Sequence, residues 1–362
     1  MMGGWVERAV SMMGGIGGND CESGVGMPLF LTERKKPDLM PRQSFLQTRV
    51  SLSGLLEVAC VLVLAGTALG MLGRWSWLCD LFSHFHLQYL VASGAMLVLA
   101  LLTRKRWSCG LALIAVVWNV WVVLSVQNTA GGALTGNHAL RLMTFNVLTS
   151  NPTPEDAIRH VLEQDADIVC LPEVDTGWNA FLEPLRQHYP HRVEQLPHGN
   201  FGMAVYARVE VTKSEVLWLE RGRPSVRLDF ELEGKPVTLI AIHPLPPVTS
   251  EHVPHWHSLL RKAGALAAEI PHEVIVTGDL NATPWCEGMR LLRAGSGLDF
   301  RSKVPVWRPT WGLRGPMMMS IDHVLLTDGL AVRKRAIGPD VGSDHRSVLV
   351  EIARYVSGAG QD

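Results

Sequence analysis

Residues 274–285 read VIVTGDLNATPW. Val274, Ile275 and Val276 form a β-branched apolar run of the kind that makes a strand buried on both faces. Asp279 and Asn281 follow almost at once, with Gly278 before them and Pro284 after. Gly, Asp, Asn and Pro are ordinary turn formers, and Asp279 could simply bond its own backbone. The other reading makes the strand a rigid mount for a carboxylate and an amide. The choice depends on whether other strands end the same way.

Five further strand ends do. The run 142 LMTFNV 147 delivers Asn146, 168 IVCLPEV 174 delivers Glu173, and 237 VTLIAIHP 244 delivers His243. The strand 320 SIDHVLL 326 begins with Asp322 and His323, and 342 GSDHRSVLVEI 352 sets Asp344 and His345 just ahead of a strand. If the sheets bring these ends together, carboxylates, imidazoles and amides share one pocket. Carboxylates at that density repel one another unless a cation binds, and hard oxygen donors select Mg²⁺, Mn²⁺ or Ca²⁺. The sequence has neither an HExxH motif nor a Cys/His cluster, which disfavours zinc.

The series TFNV, CLPEV, IAIHP, GDLNATP, SIDHVLL and SDHRSVLVEI, in this order over about residues 140–353, resembles the endonuclease/exonuclease/phosphatase superfamily of deoxyribonuclease I-like fold. With the apolar segment in front, the chain resembles a bacterial membrane-anchored branch of that superfamily. The resemblance implies an α+β fold, a four-layer sandwich of two packed β-sheets flanked by helices, that hydrolyses phosphoesters with Mg²⁺ (or Mn²⁺). By motif, Glu173 would be the principal metal ligand, with Asn146 beside it and Asp344 next to the ion. Asp279 and Asn281 would orient or deprotonate the attacking water, His243 would bond the scissile phosphate, and Asp322 would hold His345 as a dyad. Which of Asp279 and His345 is the base stays open. One departure matters: nucleases of the family often carry an acidic residue two places after the motif Asn, and here that place is Leu148.

Other residues allow two readings. Trp311 either lines the substrate pocket or only packs, and Asn200 either touches substrate or is a plain turn residue. The segment 243 HPLPPVTSEHVPHWH 257 has irregular, Pro-broken histidines, and we expect a substrate-facing loop there rather than a second metal site. His323 alternates to the opposite strand face from Asp322 and is expected to be structural. Arg333, Lys334 and Arg335 are expected to form a solvated face.

Hydrophobic residues make up 47% of the chain and charged ones 19%, an apolar balance whose excess lies between about residues 51 and 127. Runs 52–73, 88–102 and 108–126 approach the ~20 residues that cross a bilayer core. The sequence therefore predicts three transmembrane helices. Arg34, Lys35, Lys36, Arg42 and Arg49 precede the first run, and Arg104, Lys105 and Arg106 separate the last two. The positive-inside rule puts those cations in the cytoplasm, so the remainder lies on the periplasmic or extracellular side of a bacterial inner membrane. The expected organisation is a disordered tail (1–50, of which 1–39 could precede a start at Met40), a membrane domain (51–127), a flexible linker (128–138), the catalytic domain (139–355) and a flexible tail (356–362).

Six scattered cysteines without CxxC pairs argue against a disulfide framework. Residues 139–362 hold 23 Lys+Arg against 27 Asp+Glu, a balance that does not favour tight DNA binding. The expected partners are a phosphoester substrate, with a lipid headgroup or a nucleic acid as the alternatives, and the bilayer; no obligate protein partner is implied. The expected activity is a membrane-anchored phosphoesterase. The rivals are a nuclease acting outside the cytoplasm and a non-catalytic membrane scaffold.

Overall fold

The computed structural model describes residues 51–126 and 133–356, apart from 313, 314 and 316. The expected tail over 1–50, most of the C-terminal tail and residues 128–132 of the expected linker lie outside them. Four helices come first: α1 (Leu52–Gly70), α2 (Trp77–Ser83), α3 (His86–Leu102) and α4 (Arg106–Ser125). Ser51 caps α1 by accepting the Gly54 N–H at 3.1 Å. Helices thus form where the sequence predicts three spans, but the spans do not come out alike. Only α4 is long and apolar enough to cross a membrane by itself; α2 and α3 pass together as a pair bent by 57°, and α1 is a shorter apolar helix. The break falls at Ser83–His86, where polar side chains turn inward: Ser83, His84 and His86 are all buried.

Next come β1 (Ala133–Thr144), α5 (Pro154–Gln164), β2 (Ile168–Pro172), α6 (Glu183–His188), β3 (His191–Gln195), β4 (Met203–Ala207), β5 (Val211–Glu220), β6 (Arg223–Leu232) and β7 (Lys235–Ala241). The chain closes with α7 (His252–Glu269), β8 (Glu273–Asp279), α8 (Glu287–Arg293), β9 (Asp322–Leu326), β10 (Leu330–Ile337) and β11 (Val348–Val356). One sheet runs β10-β11-β1-β2-β4-β3 and the other β5-β6-β7-β8-β9. Within the sheets only β1/β2 and β7/β8 pair in parallel.

Alternation along the strands builds the layers. Ile275 of β8 joins Leu142, Ile168, Val205 and Phe230 in the core between the sheets. Its neighbours Val274 and Val276 point the other way, packing with Trp256, Leu260 and Leu292 of the outer helices. On the far sheet Val169 and Leu171 do the same beneath α5, against Val161. A strand covered on both faces needs an unbroken apolar run, and VIV is that run.

Three expectations are corrected, the last in part. The linker is strand from Ala133 onward, because Ala133, Leu134 and Thr135 pair with Val356, Tyr355 and Arg354 before the register shifts ahead of Leu140. The histidine-rich segment is helical from His252. Pro254 falls in the first turn of α7, where its missing N–H costs nothing. Val253, Trp256, Leu260, Ala263 and Ala267 then make the buried stripe. In the basic run, Arg333 and Lys334 are exposed as expected, but Arg335 is buried and donates to the Pro305 carbonyl at 3.3 Å.

Candidate active site

The two parallel strand pairs end side by side, and their carboxyl ends carry the polar residues. Glu173 follows β2 directly and Asn146 lies two residues beyond β1, while Asp279 ends β8 opposite Asp322, the first residue of β9. The backbone is bent to hold them: Leu148, Glu173 and Asn281 adopt φ of 60°, 65° and 47°, values that L-residues seldom take. Before Asp279 a side chain is impossible. A Cβ on Gly278 (φ 138°) would come within 2.0 Å of the Ile242 carbonyl oxygen. Gly278 lets β8 run against the chain that leads to His243.

Asn146 is the bridge. Its Nδ2 donates to Glu173 Oε1 at 2.9 Å and to Asp279 Oδ2 at 3.0 Å, while its Oδ1 accepts the Leu148 N–H at 3.0 Å. That last bond fixes the amide orientation, since an N–H can only be met by the oxygen. Asn146 therefore presents hydrogens to the carboxylates, while its oxygen already accepts one backbone N–H. His243 Nε2 lies 3.5 Å from Asp279 Oδ2 and 3.9 Å from Glu173 Oε1, and its buried Nδ1 has no partner among the described residues. Asn281 closes the turn by donating its backbone N–H to Asp279 Oδ1 at 2.9 Å and its Nδ2 to the Pro244 carbonyl at 3.0 Å.

His345 Nδ1 meets Asp322 Oδ2 at 2.9 Å, and its Nε2 lies 3.5 Å from Asp279 Oδ2. Burial alone would lower its pKa, but Asp322 and Asp279 outweigh burial and lift it to about 10. Burial pushes Asp279 upward, yet His345 and His243 together with the Asn281 N–H bring it down to about 2. The pair is thus an imidazolium facing a carboxylate. Asp322, fully buried, is raised by burial and by Asp279 against the pull of His345. His323 is structural as expected, its Nε2 against the carbonyls of Ala282 and Ser320.

The other candidates fall less close. Asp344 Oδ2 accepts the Trp311 indole N–H at 2.9 Å. Two groups in this cluster could hold an ion, Glu173 with His243 and Asp279, and Asp279 with Asp322 and His345, and neither includes Asp344. Asn200 is exposed. Its neighbour Phe201 is the contact that the sequence did not reveal: its ring centroid is 5.7 Å from that of His243, and the Arg223 guanidinium lies 3.4 Å over it. Only the fold brings these three together. Trp311 also lines an apolar cavity of about 370 Å³ beside Asn281, with Met319 and Ile321, Pro246 to Val248, and Leu81, His84 and Phe85 from the helical segment. The histidines of α7 serve elsewhere: His252 meets the Pro246 carbonyl and His255 meets Glu220.

Residues 143–345 match the profile of the Endonuclease/Exonuclease/phosphatase family, a span that contains every residue of this cluster. Solved structures share the fold. The endonuclease/exonuclease/phosphatase from Beutenbergia cavernae is 18% identical, with a TM-score of 0.51 over 61% of this chain and 73% of its own. A humanized D. rerio TDP2 is 18% identical at TM-score 0.51, over 59% of this chain and 98% of its own. D. rerio TDP2 complexed with single strand DNA product is 17% identical at TM-score 0.50, over 59% and 98%. No curated protein matches the sequence.

Proposed function

The chain belongs to the endonuclease/exonuclease/phosphatase family, and from that premise we propose that it is a membrane-held, divalent-metal-dependent phosphodiesterase whose substrate carries an apolar tail. The observation that carries the catalytic part is the convergence of Glu173, Asp279, His243 and His345 around Asn146. Two carboxylates held together by one neutral amide are a donor set that fits a hard cation, and Glu173, His243 and Asp279 each set a ligand atom within 4.8 Å of the others. Glu173 and Asp279 would hold Mg²⁺ or Mn²⁺, which when bound supplies positive charge to the phosphoryl oxygens.

The residues of the chain do the rest. Asp279, ionised over the whole working range of pH, accepts a hydrogen bond from the attacking water and aims it. Its low proton affinity makes it a better positioner than base. His345, kept as imidazolium by Asp322, donates from Nε2 toward the developing charge on phosphorus-bound oxygen. His243 Nε2 offers a second donor on the other side of Asp279. Asn281 holds the loop in register through Pro244.

The helical segment supports the membrane reading. Among the described residues, large apolar side chains exposed to solvent lie almost entirely on α1–α4 and their connections, such as Leu62, Val91, Leu102, Val117 and Trp121; the exceptions there are Trp218, Val248 and Met317. So much exposed apolar surface marks a face meant for lipid or for another protein. We read α1, the bent α2–α3 pair and α4 as three crossings, with the exposed Arg104–Arg106 turn in the cytoplasm and the catalytic domain on the periplasmic or extracellular side of a bacterial inner membrane. Two of the three exceptions, Val248 and Met317, line the apolar cavity next to Asn281. An acyl chain fits such a cavity better than a polyanionic strand does, and the acidic balance of residues 139–362 agrees.

Purified full-length protein should cleave a phospholipid headgroup in mixed micelles, stop with a chelator and resume with Mg²⁺ or Mn²⁺. Faster cleavage of single-stranded DNA than of any lipid would overturn the substrate class while leaving the phosphoesterase reading intact. No metal-dependent hydrolysis of lipid, DNA or a soluble aryl phosphodiester would end both.

A further inference from the structure

Away from the catalytic cluster, α2 and the stretch leading into α8 meet in a buried group of unlike donors. Asp80 Oδ1 accepts the Glu287 backbone N–H at 2.9 Å and the Ser83 hydroxyl at 2.8 Å, which leaves its second oxygen for another partner. Four residues on, His84 sets Nδ1 3.3 Å from the Thr283 hydroxyl. Cys286 precedes the first turn of α8. A carboxylate oxygen of Asp80, a ring nitrogen of His84 and Cys286 Sγ all lie within 4.8 Å of one another. The three residues are 5%, 7% and 1% exposed.

An independent observation points to a ligand: His84 Nε2 is buried and has no hydrogen-bond partner among the described residues. A buried imidazole nitrogen normally finds one. A carboxylate, an imidazole and a thiol packed this tightly, with the imidazole short of a partner, form a donor set able to hold a cation.

We propose that Asp80, His84 and Cys286 bind one Zn²⁺ ion that fastens α2 of the helical segment to the catalytic domain. Sulfur, nitrogen and oxygen donors together suit a borderline cation, whereas Glu173 and Asp279 suit a hard one, so the two sites select different metals. Cys286 binds as thiolate and its proton leaves to solvent. A water molecule supplies the fourth position. The site matters because Thr283 and Cys286 continue the loop that carries Asn281, and His84 is also a wall of the apolar cavity. Loading would hold that wall against the loop. The separate residues explain why the sequence shows no zinc signature: Asp80 and Glu287 stand 207 positions apart.

The test uses full-length protein stripped by a chelator, then dialysed against Zn²⁺ with excess Mg²⁺ or titrated with Co²⁺. The wild type should retain about one equivalent of zinc and give thiolate-to-cobalt charge-transfer absorption. Cys286→Ser and, separately, His84→Gln should lose both signals, and Glu173→Gln should keep both. Thermal melts on each variant show that it is folded, and zinc should raise the melting temperature of the wild type and of Glu173→Gln but not of Cys286→Ser or His84→Gln. Retention of zinc and of the absorption by Cys286→Ser, or by His84→Gln if the serine variant does not fold, would overturn the proposal. So would a wild type that retains no zinc.

Discussion

Asp279 Oδ2 is the point on which the site converges, with Asn146 Nδ2 at 3.0 Å and the Nε2 atoms of His243 and His345 each at 3.5 Å. Glu173 stands one amide away, tied through the same Nδ2 at 2.9 Å. These positions divide the labour, and substitutions should divide it in the same way. Glu173→Gln weakens a hard-cation ligand, so the Mg²⁺ concentration for half-maximal rate should rise by about tenfold or more while kcat at saturating metal falls less. Equal loss of kcat at every Mg²⁺ concentration would place Glu173 elsewhere in the reaction. His345 gives a pH signature. Its folded pKa of about 10 lies above the ordinary 6.5, so the protonated form stabilises the fold fully below about pH 6.5 and that contribution is lost as pH rises toward 10. Melts of the metal-stripped protein should therefore decline across that window, and Asp322→Asn should flatten the decline. A variant with the wild-type slope would show that the Asp322–His345 bond does not set it. Most of this cluster is legible in the sequence because each member ends or begins an apolar run. Phe201 and Arg223 are not, since one is in a turn and the other opens a strand. Asn146 is legible as a site residue, but the use of its atoms is not: only the Leu148 N–H shows that its oxygen is already engaged.

At the scale of elements, β8 has to be buried on both faces and still deliver a carboxylate at its end. Gly278 makes that compatible. Gly278→Ala adds a Cβ where the Ile242 carbonyl stands 2.0 Å away, at a φ of 138°, and should cost at least ~2 kcal/mol of stability. Thermal melting measures this directly, and an unchanged melting temperature would mean that the β8 end is less tightly held than the packing implies. The same element logic explains which parts of the fold can be read. Strands β2, β4 and β8 are buried at almost every position and announce themselves as apolar runs. Strands β5 and β10 carry Lys213, Glu215, Arg333 and Lys334 on solvent faces, so their alternation is diluted. Helix α7 is hidden by Pro254 and its histidines, although Trp256, Leu260, Ala263 and Ala267 hold the helical period. Proline is a strong loop signal, but one in the first turn of a helix removes no hydrogen bond and leaves the periodicity to decide.

In the whole molecule the helical segment does more than precede the domain. Val126 packs with Trp256 and Met289, Gln88 donates to the Met318 carbonyl at 2.7 Å, and Leu81 and Phe85 wall the cavity beside Asn281. A fragment of residues 133–356 keeps β1 whole but loses that wall. Its KM for a long-chain lipid substrate should rise by about tenfold or more, since apolar contacts are removed, while kcat for a soluble aryl phosphodiester stays within a few-fold of the full chain. An unchanged lipid KM would detach the helices from substrate binding. Sequence shows the apolar runs but not this contact, because packing between residues about two hundred positions apart leaves no local pattern. The central claim is that Asp279 and its neighbours hydrolyse phosphoesters with a divalent metal, and Asp279→Asn tests it most directly. The substitution keeps size and turn propensity and removes the charge. In the purified full chain with saturating Mg²⁺, kcat on a phosphodiester should fall at least ~10²-fold with the melting temperature close to wild type. Wild-type turnover by a folded Asp279→Asn protein would contradict the account and return GDLN to an ordinary turn.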